Sequence, residues 1–423
     1  MFRHLVYLPL VALLIACSDF LSPVETTPAP SEYEYNYWLL QKTYLYEKEL
    51  AALPPEGDSV QALYGMLEDR YTRYTEPVQS AAVIESRNTS IVTGDIGLEF
   101  LLDVSYEHPL FIRHVYPKSP AANAGVPKNG NLISINGVEL TGSDAYTTYK
   151  SVFDTTAEIS LEIALDSTIK TYDMRRETIY APTIFVDTIG GYTVINIREF
   201  KPNTLDQEHG TYGELRDYLD STTNDKSVRI IDIRNNPGGH VDQCIRMADL
   251  FVKEGTLSSR NWYTFAPDGK RTKHTQSNEA TSGDPGEKTK FIMLANTSSA
   301  SCAEIFAAAV HELADIPLAG TRTYGKGIGQ AAWKTPEGGL ATITTLEFFT
   351  PKGNSYHKKG VEPEYTCENG ATIQCAIEAA ESHFGKALQK KASPVVDEPQ
   401  IIRNYTVESE PAGGAFVDNN LFW

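Results

Sequence analysis

Two stretches of this chain narrow the folds it can adopt. Val228, Ile230, Ile231 and Ile233 form a run too uniformly apolar to alternate faces, which predicts a strand buried on both sides, and a helical pattern follows over 241–252. The apolar run at 291–295 repeats the arrangement ahead of an alanine-rich helical stretch at 303–314. A strand at 191–197 and a helix at 205–219, interrupted at Gly210, precede both. Strands alternating with helices as far as Phe349 predict an α/β core with mainly parallel pairing.

The strand-to-helix turns carry the chemistry. Ser301 lies in Asn296-Thr297-Ser298-Ser299-Ala300-Ser301-Cys302-Ala303-Glu304, where a hydroxyl would stand beside the unpaired N–H groups of a helix start. Lys326 sits between Gly325 and Gly327, and a lysine held in a partly desolvated cleft can act as a base toward serine. Asn235-Asn236-Pro237-Gly238-Gly239 brings paired glycines that let backbone approach a ligand closely, so one of its N–H groups and that of Cys302 could form an oxyanion hole. Taken singly, the serine turn reads as a helix N-cap and Gly-Lys-Gly as a solvated turn. The conjunction of three motifs in order favours a nucleophilic site, with His240 the competing base or a polar residue lining it.

Asp232-Ile233-Arg234-Asn235-Asn236-Pro237-Gly238-Gly239, Ser299-Ala300-Ser301 with Glu304, and Gly325-Lys326-Gly327 with Gln330 resemble the C-terminal processing peptidases, or tail-specific proteases, which use a Ser/Lys pair. The twenty-five positions between Ser301 and Lys326, and the glutamine four residues further on, fit that family's spacing. The resemblance implies Ser301 as nucleophile, Lys326 as general base, Gln330 as the residue orienting the lysine, and the amides of Gly239 and Cys302 as oxyanion hole. It implies no cofactor, and the histidines and cysteines show no ligand spacing of a metal site. Cys302-Ala303 stands where the family usually has Ala-Ser, and His240 where it usually has an apolar residue.

Residues 94–176 have a different texture of short strands and turns. Ser119-Pro120-Ala121-Ala122-Asn123-Ala124-Gly125 and Gly130-Asn131-Leu132-Ile133-Ser134-Ile135-Asn136-Gly137 resemble a PDZ domain, a module that takes peptide C-termini by strand addition. Asp95-Ile96-Gly97-Leu98 would be its carboxylate-cradling loop, and Asn131 departs from the aspartate common there. Residues 32–93 read as helical, with tyrosines and leucines over 37–50 and 60–74; Gly65 to Tyr71 resembles the N-terminal region of the same peptidases. The segment 356–363, with Gly360-Val361-Glu362-Pro363, resembles the strand end that follows the lysine, and 373–388 reads as a closing helix.

The ends concern location. Residues 1–16 carry Arg3 and an apolar run too short to span a bilayer, which reads as a secretory signal, and Leu14-Ile15-Ala16-Cys17 resembles a bacterial lipobox with Cys17 as the lipidated residue. The Ser/Pro/Thr/Glu-rich stretch 17–31 reads as a tether on a cell-envelope membrane surface, on the periplasmic or outer side. Lys plus Arg number 37 against 55 Asp plus Glu, a formal net charge of −18, which disfavours nucleic acid as partner. Outside the cytoplasm Cys367 and Cys375 are a plausible disulfide, while Cys244 reads as a buried thiol and Cys302 as an oxidation-sensitive one. Residues 389–423 hold Pro394, Pro399 and Pro411 with scattered aromatics and no functional signal.

The expected protein is an α/β chain: a β-α superhelical peptidase core (177–388), preceded by the helical region and the PDZ-like domain. The expected activity is a serine endopeptidase acting on proteins or peptides with exposed C-terminal tails. The alternative is a non-catalytic envelope lipoprotein that holds such tails through its PDZ-like domain.

Overall fold

The computed structural model of the protein describes residues 30–266, 270–385, 400–403 and 415–416. The expected leader, Cys17 and almost all of the tether lie outside the described residues.

The parallel core is present. Its sheet runs in the order Ile184–Ile189, Tyr192–Ile197, Arg229–Asp232, Phe291–Ala295, Leu318–Gly320, Tyr365–Thr366, and only the first pairing is antiparallel. Ile231, Phe291, Met293 and Ala295 pack toward the helices Gly210–Ser221, Val241–Asp249 and Cys302–Leu313, while Ile230, Ile292 and Leu294 pack toward the helix Ile373–Phe384. Helices on both faces explain the absence of polar alternation, since each large apolar side chain buried here contributes about 1.5–3 kcal/mol.

For four strands between 256 and 349 the expectation of mainly parallel pairing is corrected. Thr256–Phe265, Arg271–Glu279, Ile328–Lys334 and Leu340–Phe349 form a second sheet whose pairings with one another are antiparallel. Antiparallel neighbours of this kind need no crossover helix. One face packs on the helical layer through Leu257, Leu346 and Phe348; the other carries Ala331, Trp333, Ala341 and Ile343 against Leu39, Leu40, Tyr44 and Leu63 of the N-terminal region.

That region is less helical than its apolar pattern predicts. The helices are Glu32–Thr43, Glu47–Leu50 and Val60–Gly65; the chain then turns, and Arg73–Thr75 adds as a strand to Leu340–Phe349. Burial of Tyr74 against the sheet, with its hydroxyl donating to Glu32 at 2.7 Å, outweighs the local helical pattern.

The strands Leu98–Leu102, Leu110–Val115, Asn131–Ile135, Glu158–Leu165 and Thr168–Arg175 form a third sheet, closed by the helix Ala145–Phe153 around Phe100, Leu132, Tyr149 and Leu161. Ile91–Asp95 pairs with Glu177–Tyr180, so position 94 lies in a paired strand and 176 between Thr168–Arg175 and Glu177–Tyr180. Charge pairs join this unit to the core: the buried Arg198 donates to both oxygens of Glu99 at 2.5 and 2.7 Å, and the partly buried Arg113 and the exposed Lys128 each donate to Asp187 at 2.9 Å.

Residues 389–423, in which the sequence shows no functional signal, contribute two strands. Gln400–Arg403 pairs antiparallel with Leu98–Leu102, and Ala415–Phe416 pairs parallel with Gly329 and Gln330. Cys367 and Cys375 are bridged, with Cα atoms 6.0 Å apart. The reading of Cys244 as a free thiol is corrected: the helix Val241–Asp249 packs beside Cys302–Leu313, bringing the Cα atoms of Cys244 and Cys302 to 5.7 Å, and the two are disulfide-bonded.

Candidate active site

Ser301 caps the helix Cys302–Leu313 with φ 57° and ψ −116°, a sharp turn that a non-glycine residue adopts only at an energetic cost of about 1–3 kcal/mol. The surroundings hold it there. Its neighbour Ala300 donates its N–H to the Asn236 carbonyl at 2.9 Å, and the Ser299 hydroxyl donates to the Ile233 carbonyl at 2.8 Å. Gly238 packs so closely that a Cβ there would lie 2.8 Å from the Ser301 Cβ. The Ser301 hydroxyl is buried, and its oxygen has no hydrogen-bond partner among the described residues.

Two amides of these turns give no hydrogen bond among the described residues. The Asn236 side chain takes the Gly238 N–H at 2.9 Å, whereas no described group accepts from the N–H of Gly239 or of Cys302, the first residue of its helix. A helix start leaves such donors unpaired and adds a partial positive charge, so both suit a developing oxyanion.

Lys326 is 1% exposed. Burial disfavours its charged form and pushes its pKa well below the ordinary lysine value, with repulsion from Arg73 adding to the effect. Its Nζ lies 4.1 Å from the centroid of the Tyr71 ring. Burial pushes the Tyr71 hydroxyl up to about 12, with its hydrogen bond to Tyr324 in the same direction. Gln330, four residues along, sits where the pairing between Ile328–Lys334 and Leu340–Phe349 shifts register, and such bulges re-aim side chains. Its Nε2 donates to the Thr344 hydroxyl at 2.9 Å, leaving a buried Oε1 that accepts no hydrogen bond among the described residues.

Glu304 fastens the two loops together. Its Oε2 accepts the N–H of Ser301 at 2.9 Å and of Lys326 at 2.7 Å; its Oε1 accepts the Thr323 hydroxyl and the Gly325 N–H, both at 2.6 Å. Burial pushes its carboxyl upward in pKa and these four donors oppose that shift. The segment after the lysine completes the support, with Lys358 N–H on the Gly325 carbonyl at 2.7 Å and Val361 N–H on the Thr323 hydroxyl at 2.7 Å.

The structure thus gathers the turns of Ser301, Lys326, Gly239 and Cys302 at one place, with Ser301 and Lys326 joined through backbone rather than by a direct hydroxyl–amine hydrogen bond. His240 caps the helix Val241–Asp249 and gives its own N–H to the Phe200 carbonyl at 2.8 Å. Asp95, Ile96, Gly97 and Leu98 are all buried and lie in the other unit, where Asp95 Oδ1 accepts the Gly97 N–H at 2.6 Å. Two contributors were missed from sequence. Tyr71 falls in a stretch whose pattern reads as helical, and the pairing of Arg73–Thr75 that carries it over Lys326 is a long-range contact with no local signal. Glu304 was noted only as part of a motif, though a carboxylate three residues after a helix cap is an established way to satisfy a cap N–H. A cleft of about 980 Å³ opens between His114–Lys118 and the helix Gly210–Ser221, and none of the site residues lines it.

Residues 191–367 match the family model described as peptidase family S41. A "Probable CtpA-like serine protease" of Staphylococcus aureus (strain bovine RF122 / ET3-1) is 28% identical over 308 residues, covering 71% of this chain and 58% of that protein. A protein of the same description from Staphylococcus epidermidis is 26% identical over 336 residues, covering 78% and 64%. The chain therefore spans less than two thirds of the length of these relatives. Among solved structures, the photosystem II D1 C-terminal processing protease is similar at 19% identity and a TM-score of 0.48, with 85% of this chain and 99% of that one covered. The region matched by that family model, 191–367, contains Ser301, Lys326, Gln330, Gly239 and Glu304.

Proposed function

We propose that this protein is a serine endopeptidase of the C-terminal processing type, with Ser301 as nucleophile and Lys326 as general base. The observation that carries the proposal is a lysine 1% exposed, its ammonium disfavoured by burial, whose loop is tied through Glu304 to the turn of a buried serine at a helix N-terminus. The match of residues 191–367 to peptidase family S41, and the serine-protease description of relatives, support it.

In this mechanism a side-chain rotation carries the neutral Lys326 amine from the face of Tyr71 to the Ser301 hydroxyl. The amine takes the proton as the serine oxygen attacks the scissile carbonyl. The N–H groups of Gly239 and Cys302 stabilise the oxyanion, each such donor contributing about 10²–10³ in rate. Gln330 Oε1, still an open acceptor, orients the amine. Collapse of the tetrahedral intermediate passes the proton from Lys326 to the leaving amine, and water then releases the acyl group from Ser301.

The unit built on 98–175 acts in this proposal as a PDZ-like domain that captures substrate by strand addition along Leu98–Leu102, delivering an exposed tail toward Ser301. Cys17 carries the lipid that holds the protein on the cell envelope. The test is hydrolysis of an unfolded protein with a nonpolar C-terminal tail by the full chain and by Ser301→Ala and Lys326→Arg. Both variants lose cleavage, the second because guanidinium stays protonated and cannot serve as base. Wild-type rates in Lys326→Arg would move the base to another residue, such as His240. Retained turnover in Ser301→Ala would end the proposal.

A further inference from the structure

The strand edge at which the PDZ-like unit would add a peptide already holds one. Leu98–Leu102 pairs on one side with Leu110–Val115 and on the other with the chain's own Gln400–Arg403. The register runs from Gln400 opposite Leu102 to Arg403 opposite Glu99, so the segment travels toward the 95–97 loop, the direction in which a captured peptide would point its C-terminus. Phe100, on this strand, packs its ring 5.0 Å from that of Tyr149 on the helix Ala145–Phe153, placing the strand beside that helix.

Further along, the same chain meets the other site. Ile328–Lys334 pairs on one side with Leu340–Phe349; on its other side Gly329 and Gln330 pair with Ala415 and Phe416. That edge begins two residues after Lys326 and includes Gln330, so an extended peptide there lies against the strand that carries the orienting residue. One amide of the 95–97 loop is already committed. The Gly97 N–H, one of the amides a terminal carboxylate would use, is given to the buried Asp95 carboxylate at 2.6 Å, and a second carboxylate beside it would meet a like charge.

We propose that the strands Gln400–Arg403 and Ala415–Phe416 are a built-in competitor of substrate: the first fills the peptide-adding edge of the PDZ-like unit, and the second fills the strand edge beside Gln330. The proposal rests on the reading of the 98–175 unit as a peptide-capturing domain. An incoming peptide must displace this segment to reach both edges, so activity is set by competition between a tethered and a free strand.

The test uses the full chain and the variant Ile401→Pro/Ile402→Pro. Along an edge strand alternate N–H groups face the partner, so two adjacent prolines remove a ladder donor whichever residue supplies it. The first readout needs no catalysis. A fluorescent peptide of residues 396–407 is titrated into each protein carrying Ser301→Ala. A tethered strand acts at about millimolar effective concentration, so against a free peptide of roughly 100 µM affinity the variant binds it about tenfold more tightly than the parent. Hydrogen exchange of the 98–102 amides is the second readout: protected in the parent, they exchange faster in the variant. The third is hydrolysis, where kcat/KM rises about tenfold in the variant with Ser301 intact, by the same competition. Equal peptide affinity in the two proteins, no peptide binding to either, or unprotected 98–102 amides in the parent overturns the competitor. Tighter binding in the variant with no hydrolysis by any form keeps the competitor and removes the protease reading instead.

Discussion

Replacing Glu304 by glutamine changes one buried oxygen into an NH2 group and little else in shape. The consequence follows from what surrounds it. Oε2 faces two N–H groups, of Ser301 and Lys326, which can only donate; Oε1 faces the Gly325 N–H and the Thr323 hydroxyl. A glutamine amide has one acceptor oxygen, so the better orientation keeps that oxygen on the Ser301 and Lys326 amides and turns its NH2 toward Thr323, whose hydroxyl can accept. The Gly325 N–H is then stranded against another donor, and the bonds that remain lose their charge assistance. One stranded buried donor costs about 1–3 kcal/mol and charge-assisted bonds exceed neutral ones by a further kcal/mol or so, giving about 2–4 kcal/mol overall. Relief of burying the carboxylate, which already lies above its usual pKa, offsets part of this. Urea unfolding of the full chain measures the stability, and kcat/KM on an unfolded substrate measures the coupling of the two loops. Both fall together: the midpoint drops and kcat/KM declines by about tenfold or more, as expected where ~1 Å of misplacement impairs catalysis. Stability within 0.5 kcal/mol of wild type with undiminished kcat/KM would refute the assignment of Glu304 as the tie between the proposed nucleophile and base.

Three further outcomes follow from the same geometry. The proposed base works only when neutral, so kcat/KM rises with pH through the Lys326 pKa, and because burial lowers that pKa the midpoint lies well below the ordinary lysine value; a midpoint at the ordinary value would contradict a buried base. The same burial predicts that Lys326→Met is inactive yet about 1–2 kcal/mol more stable near neutral pH. Below the unfolded lysine's pKa the unfolded chain binds a proton that the native site resists, so the gain shrinks as pH rises toward that value; a destabilised variant in neutral-pH melts would count against this. The Cys244–Cys302 bridge spans 58 positions, for which chain entropy predicts up to about 4 kcal/mol of stabilisation. Reductant therefore lowers the melting temperature of a protein retaining this bridge more than that of Cys244→Ala, and equal shifts in the two would show that this bridge contributes nothing.

What could be read from the sequence was local. Strands with apolar residues at adjacent positions, such as 228–233 and 291–295, announced a sheet covered on both faces, and their turns announced Ser301 and the paired glycines, because strand, turn and helix start lie within a few residues of one another. Long-range pairings were not legible. The tyrosine- and leucine-rich stretch over 60–74 looks helical, yet Arg73–Thr75 is captured by a strand more than 260 residues away and thereby sets Tyr71 over Lys326. The hairpins between 256 and 349 were absorbed into an alternating pattern because their inward faces carry the same apolar residues that a parallel strand would. Cys244 and Cys302 gave no spacing signal, since their meeting depends on how two helices pack. The partners of Gln400–Arg403 lie about 300 residues upstream, beyond any periodicity.

The central claim is that the Ser301 oxygen forms the acyl-enzyme. Intact-mass analysis after brief exposure of the full chain to an activated acyl ester, followed by peptide mapping, tests it most directly. The prediction is a single acyl adduct on the peptide containing Ser301, formed faster as pH rises through the Lys326 pKa and absent from Ser301→Ala. An adduct on another residue, or equal labelling of Ser301→Ala, would contradict it.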